Sequence, residues 1–228
     1  MKQDKIWEYF QGEGIDNFSD AEHRLYYLFS LVKKNSSKLK VNILNIGTGN
    51  GYFEKLCIKV GWEIHTLDID KNVKEKLTKF GVNVHINSIE SIPLSDSYFD
   101  FIVCSEVLEH LAEDQLKNAI SELYRITKTN GYIIGTVPNN EKLSENITVC
   151  PSCNHKYHRW GHEQSFTEID IDKIFYEVNF RKIITKICVF KDFSQISFPN
   201  YIKYLIRLFI SKFSPSIIYS NILFIVRK

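Results

Sequence analysis

The chain has 228 residues, 44% apolar and 14% aromatic, with a formal net charge of +2 at pH 7. It is long enough to bury a large core, and its near balance of charge argues against a general nucleic-acid binder. Five cysteines, two of them in one CxxC, fit a reducing compartment better than a disulfide scaffold.

The N-terminal MKQDKIWEYFQGEG lacks the apolar core of a signal peptide, and no stretch approaches a membrane span of roughly 18 to 20 apolar residues. A cytoplasmic location is the expectation. Residues 1–40 read as an N-terminal helical lid on one domain spanning 1–228. Its helix runs over 19–35, with Ser19 and Glu22 spaced as a capping box and Leu25, Leu28, Phe29 and Val32 forming an apolar face. Arg24 on this helix reads as a solvated helix-face charge, with reach to the carboxylate of a bound cofactor as the other option. Trp7, Tyr9 and Phe10 are candidates to cover a substrate.

Strands and helices then alternate. VNILNI (41–46), WEIHTLD (62–68), VNVHI (82–86), YFDFIVCS (98–105) and YIIGTV (132–137) read as strands. Helices are predicted over 52–60, 71–80, 114–127 and 167–178. Such alternation specifies a parallel sheet covered by helices on both faces. The connection 138–166 is too long for an ordinary strand-to-helix loop, which marks it as functional. FRKIITKICVF (180–190) and 220–227 supply the last two strands, flanking an inserted segment at 192–219 with a helix over 201–213.

The strongest local signal is NILNIGTGNGYF, with glycines at 47, 49 and 51 between a strand and a helix. Ligands bind at the carboxyl ends of strands in open α/β sheets, and glycine lets backbone approach them closely. A dinucleotide fingerprint needs G-x-G-x-x-G, and Tyr52 fills its last glycine position. That argues against a nicotinamide oxidoreductase. No GK[ST] of a P-loop is present.

With LNIGTGNG, IHTLDID, INSIESIPLSDSYFDFIVCSEVLEHL and RITKTNGYIIGTVPN in this order, the chain resembles the class I S-adenosylmethionine-dependent methyltransferases over about residues 40–190. The resemblance implies a Rossmann-like three-layer α/β sandwich, whose seven-stranded, mostly parallel sheet has its last strand antiparallel. It implies S-adenosylmethionine as cofactor, held by Gly47, Thr48, Gly49, Gly51, Asp68, Ile69, Ser88, Ile89 and Ser105. Asp68 takes the position that binds both ribose hydroxyls. The amides of Gly49 and Gly51 suit the cofactor carboxylate, and Ile69 and Ile89 would sandwich the adenine. Asn45 and Ser88 stand where the family carries Asp. Thr129 and Asn130 stand where it often carries Pro and Gly.

Methyl transfer needs a positioned acceptor and, where the acceptor is weak, a base. His110 is the candidate base and Glu106 its catalytic neighbour, both after the fourth strand. A structural role for His110 in that turn is the competing reading. EVLEHL resembles small-molecule O-methyltransferases, the quinone-type ones among them. O-methylation of a small-molecule acceptor is expected, a sugar or glycan precursor, a quinone or another secondary metabolite, and no sequence-specific nucleic acid. A protein or RNA acceptor and an inactive zinc-binding scaffold are the alternatives.

The loop sequence CPSCNHKYHRWGH offers Cys150, Cys153, His158 and His162 as a four-ligand structural zinc set. Metal-free active-site histidines and a plain loop are the other readings. In 201–213 the apolar arc is wider than one core contact needs; a homodimer, a membrane surface or an apolar substrate would use the excess.

Overall fold

The computed structural model describes residues 21–190 and 220–228, together with Ile206 and Phe209. Ser19, residues 1–20 of the lid expected over 1–40, and most of the 192–219 insertion lie outside these residues. Ile206 and Phe209, within the expected 201–213 helix, are helical and exposed.

The elements in chain order are α1 (Glu22–Asn35), β1 (Asn42–Ile46), α2 (Tyr52–Lys59), β2 (Glu63–Asp68), α3 (Asn72–Thr78), β3 (Asn83–Ile86), β4 (Phe99–Ser105), α4 (Glu113–Ile126), β5 (Thr127–Pro138), β6 (Ile147–Val149), β7 (Lys156–His158), α5 (Glu168–Tyr176), β8 (Arg181–Cys188) and β9 (Asn221–Arg227). One sheet has the order β3-β2-β1-β4-β5-β9-β8. The pairs from β3 through β5 are parallel, and β9 runs antiparallel to both β5 and β8.

Side-chain alternation along the strands builds two cores, as a sheet with both faces covered requires. Ile102 and Cys104 of β4 and Ile222, Phe224 and Val226 of β9 face Leu116, Ile120 and Leu123 of α4 and Phe175 of α5. The intervening Phe101, Val103, Leu223 and Ile225 face Leu28 and Val32 of α1, Phe53 and Cys57 of α2, and Val73 and Leu77 of α3. Cys57, Cys104 and Cys188 are buried small apolar residues, as their sequence context predicts.

Two boundaries differ from the sequence reading. β5 begins at Thr127 instead of 132, because Thr127 pairs with Phe99 and the register then shifts before Phe101 pairs with Tyr132. Asn130 bridges this stretch at φ 66°, a left-handed conformation asparagine tolerates. Within 138–166 a second small sheet forms, the antiparallel β6–β7 hairpin.

Candidate active site

The glycine turn closes off β1 at the carboxyl edge of the sheet. Gly47, Gly49 and Gly51 all have positive φ, at 76°, 53° and 73°. A Cβ on Gly47 would lie 3.0 Å from Val107, and one on Gly51 would lie 2.8 Å from Leu77. The positive φ favours glycine at both positions, and an added Cβ would press on the Val107 and Leu77 side chains. Gly51 N–H donates to Thr48 O at 3.0 Å, so it is committed to the turn. The expectation that Gly49 and Gly51 both face the cofactor carboxylate is corrected: Gly51 shapes the loop.

Asp68 ends β2 beside this turn and is buried. It accepts from the Thr48 amide at 2.9 Å, from the Thr48 hydroxyl and from the Asp70 amide at 3.0 Å. Asp70 accepts from the amide of Asn72, the first residue of α3, at 2.9 Å. Asp68 is therefore held at the strand end, with Oδ2 taking both Thr48 donors and Oδ1 taking the Asp70 amide.

Asn45 donates to Glu54 at 2.7 Å, and Thr66 donates to the same oxygen at 2.5 Å. Burial pushes the Glu54 carboxyl above its ordinary range against these two bonds. The amide at position 45 thus pairs with an acid one turn into α2.

Ser88 donates to Glu90 at 3.0 Å and also accepts from the Glu90 amide at 3.3 Å. Its hydroxyl serves the local turn, and Gln115 of α4 braces Glu90 at 3.1 Å. Ile69 is exposed just past the end of β2, whereas Ile89 is buried in the core. Of the two, Ile69 has the exposed face that a planar ring could cover.

Ser105 accepts from Arg24 Nε at 3.0 Å and shares a hydrogen bond with Thr136 at 2.9 Å. Arg24 is thus anchored on the end of β4, a correction to its reading as a solvated charge. Glu106 sits at φ 55°, donates its amide to Thr136 O at 2.8 Å and accepts from Asn221 Nδ2 at 2.9 Å.

A 3-10 turn, Leu108–His110, follows and buries both Glu109 and His110. The 138–166 loop packs onto it: the amides of Glu163 and Gln164 donate to Glu109 O at 2.8 and 3.1 Å. His110 Nδ1 donates to Gly161 O at 3.1 Å, so its Nε2 carries the lone pair when the ring is neutral. Burial and the neighbouring His162 push the His110 pKa down to about 3, so the ring is neutral at pH 7. Burial and the Glu106 charge hold the Glu109 carboxyl well above its usual range.

His162 stacks edge-on against His110 at 4.7 Å between ring centroids and lies parallel to His158 at 4.7 Å. Its Nδ1 donates to Glu141, which also accepts from Asn146 at 2.8 Å. Burial raises the Glu141 pKa, but His162 and His158 outweigh it and hold the carboxyl below its ordinary value. His158 Nδ1 accepts from the His162 amide at 3.1 Å.

The four-ligand set of Cys150, Cys153, His158 and His162 is not brought together. Cys150 and Cys153 lie at the tip of the β6–β7 hairpin, where the Cys150 amide donates to His155 O at 2.9 Å. His158 pairs across the ladder with Ile147, three residues before Cys150. Among the described residues, the groups whose ligand atoms lie within 4.8 Å of one another include His158 and His162 but neither cysteine. Amides of Cys153 and Ser152 hold the Cys150 thiol below its ordinary pKa. Sequence reasoning singled out neither Glu109 as a site residue nor Glu141 at all, and the latter carries no motif.

A family profile described as "Methyltransferase domain" matches residues 21–185, most of the chain. The chain is a class I S-adenosylmethionine-dependent methyltransferase.

This methyltransferase is 27% identical over 193 residues to the malonyl-[acyl-carrier protein] O-methyltransferase of Buchnera aphidicola, covering 77% of this chain and 74% of that protein. It is 27% identical over 126 residues to the ubiquinone biosynthesis O-methyltransferase of Rickettsia prowazekii, covering 52% and 49%. Against several such relatives the match spans about half their length. Among solved structures, 1,6-didemethyltoxoflavin-N1-methyltransferase of Burkholderia thailandensis, with bound substrate and S-adenosylhomocysteine, superposes with TM-score 0.68 at 12% identity, over 97% of this chain and 85% of that one. The methyltransferase from the Haloferax volcanii complex with its Trm112 activator also gives 0.68 at 12% identity, over 97% and 96%. These two likenesses bear on the fold. Among the described residues no helix is long and apolar enough to cross a membrane.

Proposed function

We propose that this methyltransferase acts on a small molecule and places the methyl group on an oxygen atom. The observation that carries the cofactor assignment is Asp68, fixed by Thr48 at the end of β2 directly beside the positive-φ glycine turn. Glycine backbone and one carboxylate at adjacent strand ends suit a ligand with a vicinal diol. Ile69 and the backbone at Ile89 flank the adenine in this reading, with Ser88 bracing the turn and Ser105, held by Arg24, closing the floor.

S-adenosylmethionine supplies an electrophilic methyl group when bound, so the chain's own residues need only align the acceptor and manage its proton. We assign that task to the turn after β4. Val107 touches the position a Gly47 Cβ would occupy, which sets this turn against the cofactor loop. His110 presents an Nε2 lone pair because Gly161 O fixes its Nδ1 proton. Glu106, braced by Asn221, shapes the rim next to it. The names of the Buchnera and Rickettsia relatives favour an oxygen acceptor over nitrogen.

Incubation of the full chain with methyl-labelled S-adenosylmethionine and a panel of carboxylic acids, phenols and amines tests the acceptor. Label on a carboxylate or phenol oxygen is the expected product. Transfer confined to amines contradicts the oxygen assignment.

A further inference from the structure

We propose that Glu109, His110 and His162 hold a divalent first-row cation on the acceptor side of the cleft. This deepens the reading of the proposed site and rests on it for the acceptor's location, though the cation site itself does not require it.

The three side chains each offer one ligand atom, and these atoms lie within 4.8 Å of one another. His110 Nε2 is 3.9 Å from Glu109 Oε1. Ligands around one zinc at 2.0–2.2 Å stand about 3.3 Å apart, so closing on an ion requires side-chain movements of about 1 Å.

Glu109 supplies the independent observation. It is 1% exposed, and both of its carboxylate oxygens lack a hydrogen-bond partner. Leaving a buried polar group unsatisfied is costly, so a wholly buried carboxyl with both oxygens orphaned calls for a partner.

The hydrogen bonds around the histidines fit ligation. His110 gives its Nδ1 proton to Gly161 O, and His162 gives its Nδ1 proton to the Glu141 carboxylate. Both arrangements leave Nε2 as the ligating atom. A carboxylate or carbonyl behind a ligating histidine is the usual outer support of a metal site. Two imidazoles and one carboxylate form a three-residue set that leaves coordination positions open for water or an acceptor oxygen.

A second grouping, Glu141 with His158 and His162, also clusters. There His158 Nδ1 accepts from the His162 amide, so its neutral ring carries the proton on Nε2 and has no lone pair to give. That Nε2 stands 3.3 Å from Glu141 Oε1 without making a hydrogen bond to it. His158 and Glu141 therefore orient His162 from behind. With a cation bound, the Nε2 lone pair of His110 is committed to it, and an oxygen acceptor would bind at an open position.

The test is zinc content and zinc titration calorimetry on the full chain after chelator treatment and dialysis. The expected result is about one zinc per chain, weakened at least about tenfold in both Glu109→Gln and His162→Ala, and unchanged in the double variant Cys150→Ser, Cys153→Ser. Uptake that survives both Glu109→Gln and His162→Ala but disappears in the double cysteine variant overturns the proposal in favour of the hairpin tip. No zinc uptake by the unsubstituted chain also overturns it. S-adenosylmethionine titration of the same samples shows whether each variant is folded. Cofactor binding without zinc sinks the cation site alone, and zinc binding without cofactor binding sinks the methyltransferase reading alone.

Discussion

Asp68 both organises the glycine turn and stands as the proposed ribose ligand. Asp68→Ala removes the acceptor for the Thr48 amide and hydroxyl and, on our reading, for two ribose hydroxyls. Hydrogen bonds to a charged acceptor contribute roughly 1.5–3 kcal/mol each, so S-adenosylmethionine affinity should fall at least about tenfold. Calorimetry on this variant checks it, and retained affinity would remove Asp68 from the ribose role. The place of Asp68 at a strand end was legible in the sequence because it closes the apolar strand that follows the glycine turn and its helix. Glu109 as a ligand and Glu141 were not. Their importance comes from burial against a loop that starts some thirty residues later in the chain than Glu109, which no local spacing encodes. Arg24 was misread for the same reason: helical periodicity says which face it occupies but not that Ser105 waits opposite it.

At the scale of elements, the sequence signalled the strands well because each is a short apolar run, and it placed α5 by its cap. Thr167 accepts from the Asp170 amide at 3.3 Å, while Asp170 accepts from the Thr167 amide at 2.8 Å. Thr167→Ala should cost about 1 kcal/mol in denaturant unfolding. An unchanged unfolding midpoint would show that tertiary packing, not the cap, sets this end of α5. The β6–β7 hairpin was hidden because its strands are three residues each and mostly polar or exposed. That concealment misled the ligand assignment: spacing alone grouped Cys150 and Cys153 with His158 and His162, while the ladder keeps the cysteines at the tip.

For the molecule as a whole, Asp100 joins three parts of the chain at the amino end of the sheet. It accepts from Lys38 at 2.6 Å, from the Asn42 amide at 3.0 Å and from Lys128 at 3.0 Å. Burial raises its pKa, but these donors outweigh burial and hold the carboxyl below its usual value. A depressed folded-state pKa gives stability that is present above the unfolded value of about 3.9 and lost as pH falls through the folded value. Asp100→Asn should therefore be less stable than the unsubstituted chain at pH 7, with the gap narrowing below about pH 4. Unfolding midpoints at pH 7 and pH 3 check this, and a gap that widens in acid would contradict it.

The order β3-β2-β1-β4-β5-β9-β8 brings the ends of β1, β2 and β4 to one edge, where the glycine turn, Asp68 and the His110 turn meet. A calorimetric titration of the full chain with S-adenosylmethionine, set beside one with NAD, tests that convergence most directly. Saturable one-to-one binding of S-adenosylmethionine, with no heat from NAD, is the predicted result. Binding of NAD alone, or of neither, would contradict the account.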